Sequence, residues 1–261
     1  MPGAYVPDPI QIFWQPGCSS CLAAKEFLRG REVPFESVNV RADPKGLAQL
    51  EALGVRTVPV VARGAEFVMA QDLDELARFV GVVFERDRLS SEVLVERLMR
   101  LLEAARRFCV ALPADALARP LPGREDRNGL SLAYHVTVIP EAFLDAVEGG
   151  ELTYDYYLRM PPEAVATGAD LGRCFDAIGM RLKSWASAGR VCTQDTLQTY
   201  YGDSAFETVL ERTTWHVAQH ARQLESLLMQ AGGASLPKLG EAELGGLPLP
   251  RGVWDDEVRM V

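Results

Sequence analysis

The chain of 261 residues is longer than most single domains, so we expect two domains, each with its own core. Hydrophobic residues make up 48% of the sequence and the net charge is -9, which fits a folded globular protein and argues against binding nucleic acid or an anionic membrane through a basic face. No segment predicts a membrane-spanning helix, because even the most apolar stretches carry Glu or Arg every few positions. The first residues lack the basic and apolar parts of a signal peptide, so the sequence predicts a cytoplasmic protein.

The first part of the chain alternates short β-rich runs with helical ones. Turn and cap residues separate them: Gln15-Pro16-Gly17 ends the first strand, Gly30 ends the first helix, and Asp72 caps the last helix. This order predicts a small α/β domain over residues 1–86. The predicted strands are Ile10–Trp14, Phe35–Asn39, Val58–Val61 and Glu66–Val68, and the predicted helices are Cys18–Arg29, Lys45–Ala52 and Leu73–Val82.

From Ser90 onward, strand signals become rare and four long amphipathic stretches follow. They predict an all-α four-helix bundle over residues 87–261, with a C-terminal loop tail anchored by Trp254. The connections 112–130 and 152–170 are longer than a simple bundle needs, which leaves room for crossovers or for a rim over a site. The predicted helices are Ser91–Ala111, Ser131–Val147, Leu171–Ala188 and Ala205–Ala231.

Two cysteines, Cys18 and Cys21, lie at the predicted start of a helix that directly follows a strand. In this context the C-x-x-C spacing is typical of a redox pair rather than of half a zinc site. Because a helix N-terminus favours a thiolate, we predict that Cys18 is the nucleophile and that Cys21 resolves the intermediate. Pro59 at the mouth of a strand predicts a cis Val58–Pro59 peptide bond. The other cysteines are expected to be buried thiols; they are Cys109, Cys174 and Cys192.

Two segments frame this predicted redox site: Gln15-Pro16-Gly17-Cys18-Ser19-Ser20-Cys21 and Leu53-Gly54-Val55-Arg56-Thr57-Val58-Pro59-Val60-Val61. Both resemble glutaredoxins and NrdH-type redoxins. The resemblance implies a thioredoxin fold for the first domain, catalysis by Cys18 and Cys21, and binding of glutathione or another small thiol by Val58, Pro59 and Asp72. The segment Met69-Ala70-Gln71-Asp72 departs from these families, which usually have Gly-Gly before the aspartate.

All three histidines of the chain lie in the predicted helical domain. The i, i+4 spacing places His216 and His220 on one helix face, within the stripe expected to face the bundle interior. The pair alone could be a core or surface pair, but a facing helix would deliver His135 to the same point, where three neutral imidazoles bind a divalent metal. Arg222, close to the pair in sequence, is either an anion clamp or a solvated helix arginine.

Two segments surround these histidines: Ser131-Leu132-Ala133-Tyr134-His135-Val136-Thr137-Val138-Ile139-Pro140-Glu141 and Thr214-Trp215-His216-Val217-Ala218-Gln219-His220-Ala221-Arg222-Gln223-Leu224. They resemble the DinB/YfiT-like superfamily of metal-binding four-helix bundles. The resemblance implies that His135, His216 and His220 bind zinc, nickel or iron. Because this superfamily includes enzymes that use low-molecular-weight thiols, it also implies a small thiol as a reactant.

Together the two resemblances predict a metal-dependent thiol transferase, acting on a small electrophile and coupled to a glutaredoxin-like redox domain. One alternative is a thiol–disulfide oxidoreductase in which the helical domain is a metal-binding module that docks a partner, with a structural or regulatory metal. Another is a redox or metal sensor without turnover. The expected partners are a small thiol and a small electrophilic or disulfide substrate, without nucleic acid or membrane, and a homodimer is left open.

Overall fold

The computed structural model describes residues 8–189, 195–233 and 236–257. The chain divides into two compact units. The first consists of the described residues up to Arg86 together with those from Pro250 onward, and the second runs from Asp87 to Leu249. The tail after Leu249 is therefore part of the first unit, whereas the sequence analysis placed it with the helical domain.

The first unit is a four-stranded sheet with three helices. Its elements are β1 (Ile10–Trp14), α1 (Ser19–Gly30), β2 (Glu36–Asn39), α2 (Pro44–Ala52), β3 (Val60–Arg63), β4 (Glu66–Met69) and α3 (Leu73–Val80). The strand order is β2-β1-β3-β4, with β1 parallel to β2 and antiparallel to β3. This small sheet with its helices is the thioredoxin-like architecture that the sequence predicts.

Apolar clusters cover both faces of this sheet, because successive side chains of a strand point to opposite sides. On one face Ile12 packs with Leu28 of α1 and Leu76 of α3. The other cluster contains Leu50 of α2 and Cys21 at the start of α1. The second cysteine of the C-x-x-C sequence is thus part of a hydrophobic core.

The tail is held on α1 by charged groups. Lys25 of α1 is fully buried, and its ammonium pairs with the Asp255 carboxylate and lies 3.5 Å from Oε2 of Glu257. Its Nζ also lies 3.4 Å from the centroid of the Trp14 ring. A buried ammonium needs an opposite charge close by, which is the physical reason why the tail packs on the first unit. Trp254, the predicted anchor, is only half-buried.

The second unit contains four long helices, which begin and end within one helical turn of their predicted limits. Its elements are α4 (Ser91–Ala111), α5 (Ala114–Ala118), β5 (Pro120–Leu121), β6 (Arg124–Asn128), α6 (Gly129–Val147), α7 (Asp155–Leu158), α8 (Gly168–Ser187), β7 (Thr196–Leu197), β8 (Ser204–Ala205), α9 (Phe206–Gln230) and α10 (Glu241–Leu244). Helices α4 and α6 each pack against both α8 and α9. The helical architecture predicted for this part of the chain is therefore present.

The long connections of the second unit contain short elements that the sequence does not predict. The connection after α4 holds α5 and the β5–β6 pair, and β7 pairs with β8 just before α9. Helix α7 buries Tyr157, which is 8% exposed. Elements of two to five residues are too short to show a hydrophobic period, so no sequence pattern indicated them.

By length and composition alone, one helix among the described residues, α6, could cross a membrane. Within the protein, 67% of its most apolar window is buried. Such burial is expected of a core helix in a globular protein, so the apolar character of α6 does not indicate a membrane protein.

The cysteines outside the C-x-x-C sequence differ in exposure. Cys109 is fully buried as predicted, and burial raises the pKa of its thiol. The prediction of a buried thiol is wrong for Cys174, which is half-buried because it borders the solvent-facing side of α8. Cys192 lies outside the described residues.

Candidate functional sites

The Cys18-Ser-Ser-Cys21 sequence forms the start of α1. A turn through Gly17, whose φ of 73° favours glycine, carries the chain from β1 into the helix. Cys18 occupies the N-cap position, and the two sulfurs form a disulfide. Cys18 is partly exposed and Cys21 fully buried, so Cys18 presents the sulfur that a substrate can reach.

The local electrostatics favour negative charge on the Cys18 sulfur when the pair is reduced. The backbone N–H of Cys21 donates to this sulfur over 3.1 Å. The N–H groups of a first helical turn and the helix dipole act in the same direction. This position supports the predicted roles of Cys18 as nucleophile and Cys21 as resolving thiol.

The loop before β3 lies against the exposed cysteine. Its Val58–Pro59 peptide bond is cis, as predicted. The carbonyl oxygen of Val58 lies 4.0 Å from Sγ of Cys18 and accepts a hydrogen bond of 3.2 Å from Nε2 of Gln71. Because Gln71 is 3% exposed, this amide–carbonyl contact is shielded from water. Gln71 thus joins the site, although its only signal in the sequence is its place in the segment that departs from the glutaredoxin pattern.

Asp72 lies at the N-terminus of α3. Its carboxylate accepts a hydrogen bond of 2.8 Å from the backbone N–H of Asp74 and caps the helix, as predicted. A carboxylate in this position satisfies one of the N–H groups that a helix start leaves unpaired. Its role in binding glutathione stays a prediction.

Three histidines meet inside the second unit. His216 and His220 occupy successive turns of α9, and His135 lies on α6. One ring nitrogen from each lies within 4.8 Å of the others, and the Nε2 atoms of His216 and His220 are 3.1 Å apart. The predicted convergence of the three imidazoles, here called the histidine cluster, is therefore confirmed.

Burial keeps the histidine cluster uncharged. Desolvation is the largest cause in each ring, and it lowers the pKa of His135 and His216 well below the usual value. It also lowers the pKa of His220 to about 4, although the hydrogen bond to Gln223 opposes this shift. At neutral pH all three rings are therefore neutral imidazoles, the form that binds metal ions.

The hydrogen bonds around the cluster fit a metal site. Nδ1 of His220 lies 2.7 Å from Oε1 of Gln223, which places a hydrogen on Nδ1 and leaves the lone pair on Nε2. Within the described ranges, Nδ1 of His135 and Nδ1 of His216 are buried without a hydrogen-bond partner. Three neutral imidazoles, two of which carry an unpartnered buried nitrogen, form a donor set that suits zinc, nickel or iron.

A tyrosine and an arginine flank the histidine cluster. The ring centroid of Tyr157 lies 5.7 Å from those of His135 and His216. Its hydroxyl accepts a hydrogen bond of 3.2 Å from Nη1 of Arg212, and Nη2 of Arg212 donates to the hydroxyl of Tyr200 over 2.9 Å. Arg212 is 4% exposed and lies one helical turn before His216 on α9. A buried cation thus lies close to the cluster.

Of the arginines near the histidines of α9, the sequence reasoning considered Arg222 and left out Arg212. Arg222 is half-buried, and its Nη1 donates to Oε1 of Gln219 over 2.7 Å. A signal for Arg212 was present, since it precedes His216 by four residues and therefore shares the helix face of the histidines. No comparable signal exists for Tyr157, which reaches the cluster from a connection.

Comparison with known proteins adds one match. Residues 10–68 match the family model described as Glutaredoxin. These residues are similar to glutaredoxins, which supports the predicted redoxin nature of the first unit. The match runs from β1 into β4 and includes both cysteines of the C-x-x-C sequence and the cis-proline loop. A glutaredoxin domain with a Cys18–Cys21 pair indicates thiol–disulfide redox activity.

Two further comparisons gave nothing: no curated protein and no solved structure matches the chain. The match to the glutaredoxin family ends before α3 and leaves the helical unit uncovered. Membership of that unit in the DinB/YfiT-like superfamily, and its metal binding, therefore stay predictions.

Proposed function

We propose that the glutaredoxin domain reduces disulfides, with Cys18 as the nucleophile. The observation that carries this proposal is the Cys18–Cys21 disulfide at the N-terminus of α1, with the sulfur of the partly exposed Cys18 beside the Val58 carbonyl. In the reduced protein, the Cys18 thiolate attacks one sulfur of a substrate disulfide, and the other sulfur leaves as a thiolate. Cys21 then attacks the Cys18 sulfur and releases the second thiol. The substrate gains two electrons and the protein dithiol becomes the disulfide.

Trapping of the intermediate tests this proposal. We expect reduced Cys21→Ser protein to accumulate a mixed disulfide at Cys18 when mixed with 2-hydroxyethyl disulfide, as seen by mass spectrometry. Cys18→Ser should react on the order of 100-fold more slowly, because the remaining thiol is buried. Cys174→Ser, which removes a half-buried thiol of α8, is the matched control and should react like the wild type. Equal rates for Cys18→Ser and wild type would overturn the proposal.

A second activity is proposed for the helical unit: transfer of a thiol to a small electrophile at a metal held by His135, His216 and His220. The convergence of one half-buried and two buried neutral imidazoles, and the unpartnered Nδ1 atoms of His135 and His216, favour it. A bound divalent cation would favour the deprotonated form of a thiol or water beside it. In the transfer, the thiol gives its proton to water, its sulfur forms a bond to the electrophilic carbon, and the leaving group departs with the electron pair of the broken bond. Gln223 orients one imidazole, and the Tyr157 ring shields the site from water.

Metal analysis tests the second activity. We expect the wild type to retain about one zinc, nickel or iron ion per chain after reconstitution and dialysis, and His216→Ala and His220→Ala to lose it. Arg222→Ala alters the same helix without removing an imidazole and should retain the metal. With glutathione and 1-chloro-2,4-dinitrobenzene as probes, turnover should follow metal content. Equal metal content in all variants would overturn the proposal.

The two activities are coupled if one thiol serves both. Coupling predicts that Cys18→Ser lowers turnover of the electrophile when the thiol is supplied as its disulfide, and that His216→Ala leaves disulfide reduction intact. Unchanged electrophile turnover in Cys18→Ser would show that the units act independently. Disulfide reduction without any metal-dependent step would favour the alternative in which the helical unit docks a partner.

A further inference from the structure

Arg212 is enclosed by tyrosine side chains. Its Cζ lies between 5.1 and 5.8 Å from the ring centroids of Tyr157, Tyr200 and Tyr201. Its Nη1 and Nη2 atoms donate hydrogen bonds to the hydroxyls of Tyr157 and Tyr200. Because a guanidinium carries donors and no acceptor, each of these two hydroxyl oxygens must act as an acceptor toward it.

Each of the two hydroxyls keeps its own hydrogen for another acceptor, since a phenol carries one O–H donor. Within the part of the chain that the structure describes, neither hydrogen has an acceptor. Tyr157 is 8% exposed, so bulk water is a poor substitute for that acceptor. Burial, the largest cause, raises the pKa of the Tyr200 phenol, which therefore stays protonated and able to donate.

The two donors lie beside the histidine cluster. They are bound by one planar guanidinium and therefore lie next to each other. The Tyr157 ring contacts His135 and His216, and Arg212 is one turn from His216. We propose that the hydroxyls of Tyr157 and Tyr200 form a donor pair that binds the carboxylate of a small substrate next to the histidine cluster.

A carboxylate is the ligand that fits this arrangement. It offers two oxygen atoms with lone pairs to two neighbouring O–H donors, and hydrogen bonds to a charged acceptor are the stronger ones. The positive charge of Arg212 behind the hydroxyls attracts an anion, and its burial weakens the screening by water. A cationic ligand would be repelled from the same position. Binding of a carboxylate does not depend on the proposed thiol transfer. The inference rests on that proposed function in one respect: it assigns the bound carboxylate to the electrophile.

Calorimetric titration of the full-length protein with benzoate and with acetate tests the donor pair. We expect Tyr157→Phe and Tyr200→Phe each to weaken binding about tenfold, because each removes one hydrogen bond to a charged acceptor and keeps the ring. Tyr154→Phe is the matched control and should bind like the wild type. Its ring lies 5.3 Å from that of Tyr200, but Arg212 does not bond to its hydroxyl in the described structure. Benzamide, the neutral analogue of benzoate, should bind more weakly to the wild type.

The proposal fails if the wild type binds neither probe, or if both phenylalanine variants bind benzoate as tightly as the wild type. Titration of metal-free and zinc-loaded protein separates this failure from that of the proposed metal site. Carboxylate binding by a protein that retains no metal supports the donor pair and removes the metal site. Retention of zinc without carboxylate binding supports the metal site and removes the donor pair. Near-ultraviolet circular dichroism of each variant checks that the unit is folded.

Discussion

Single polar side chains position the groups that react in this protein. Gln71 is the example in the first unit, because its buried amide holds the carbonyl of Val58 next to the Cys18 sulfur. A buried carbonyl without a donor costs more free energy than the hydrogen bond itself contributes, since it has lost its water. Gln71 thereby fixes the loop against which a thiol substrate would lie.

Gln71→Leu should lower the free energy of unfolding of the first unit by about 1–3 kcal/mol, because it removes that donor from a buried carbonyl. Hydrogen exchange of the β1 and β3 amides at increasing urea concentration measures the loss in the full-length chain. Gln11→Leu is the control, since Gln11 donates to Glu36 at an exposed position and its loss should cost less than about 0.5 kcal/mol. A loss for Gln71→Leu no greater than that for Gln11→Leu would contradict the role of Gln71.

Helices of the second unit combine a functional face with ends that fix their position. α9 buries polar side chains along much of its length, among them Arg212, His216 and His220. α8 begins in a capping box, in which the Thr167 hydroxyl accepts from the backbone N–H of Asp170 and the Asp170 carboxylate accepts from the backbone N–H of Thr167. Such ends hold the helices in register around the buried face.

Asp170→Asn should destabilise the second unit at neutral pH and progressively less in acid. The hydroxyl of Thr167, followed by the backbone N–H of Ala166, lowers the pKa of Asp170 from 3.8 to about 2. Because this pKa is lower in the folded state, the ionised carboxylate stabilises the fold above the ordinary pKa, and that contribution is lost as the pH falls toward 2.

Thermal unfolding at several pH values measures this effect. We expect a melting temperature about 2 °C below wild type at pH 7 and a smaller difference at pH 3. Glu163→Gln is the control, because it changes an exposed carboxylate in the loop before α8. A difference that stays constant down to pH 3 would show that the carboxylate of Asp170 does not stabilise the cap.

Across the whole chain, the helical unit is inserted between two parts of the first unit. The returning tail forms contacts along α1: the Glu26 carboxylate accepts from the backbone N–H of Gly252 over 2.9 Å, and Glu257 pairs with Arg29. Glu257 also accepts from the hydroxyl of Ser37 on β2, an edge strand of the sheet. The tail thus completes the glutaredoxin-like unit by covering a buried charge and contacting a sheet edge.

Truncation after Leu249 should destabilise the first unit by about 3 kcal/mol, because the buried ammonium of Lys25 would lose its carboxylate partners. Hydrogen exchange of the α1 and β1 amides measures the loss, and a chain ending at Glu257 is the control. In the truncated chain, Lys25→Met should recover part of the lost stability, whereas in the full-length chain it should be destabilising. Equal stability of the truncated and control chains would contradict this role of the tail.

Features that depend on neighbouring residues in the chain could be predicted from the sequence. Spacing placed Cys18 and Cys21 at a helix start and put His216 and His220 on one helix face, because strand and helix periods are local properties. The elements of the first unit and the four long helices of the second could be predicted from the sequence for the same reason.

Contacts between side chains that are distant in the sequence could be established only from the folded structure. The sequence made the approach of His135 a prediction, and the fold supplied the distances. Tyr157 beside the histidine cluster and the tail on Lys25 had no sequence signal, because each depends on how a connection or terminal segment packs. The free energy of the whole fold determines which distant residues pack together. A buried charge or an unpaired hydroxyl can therefore be identified only after the packing around it is known.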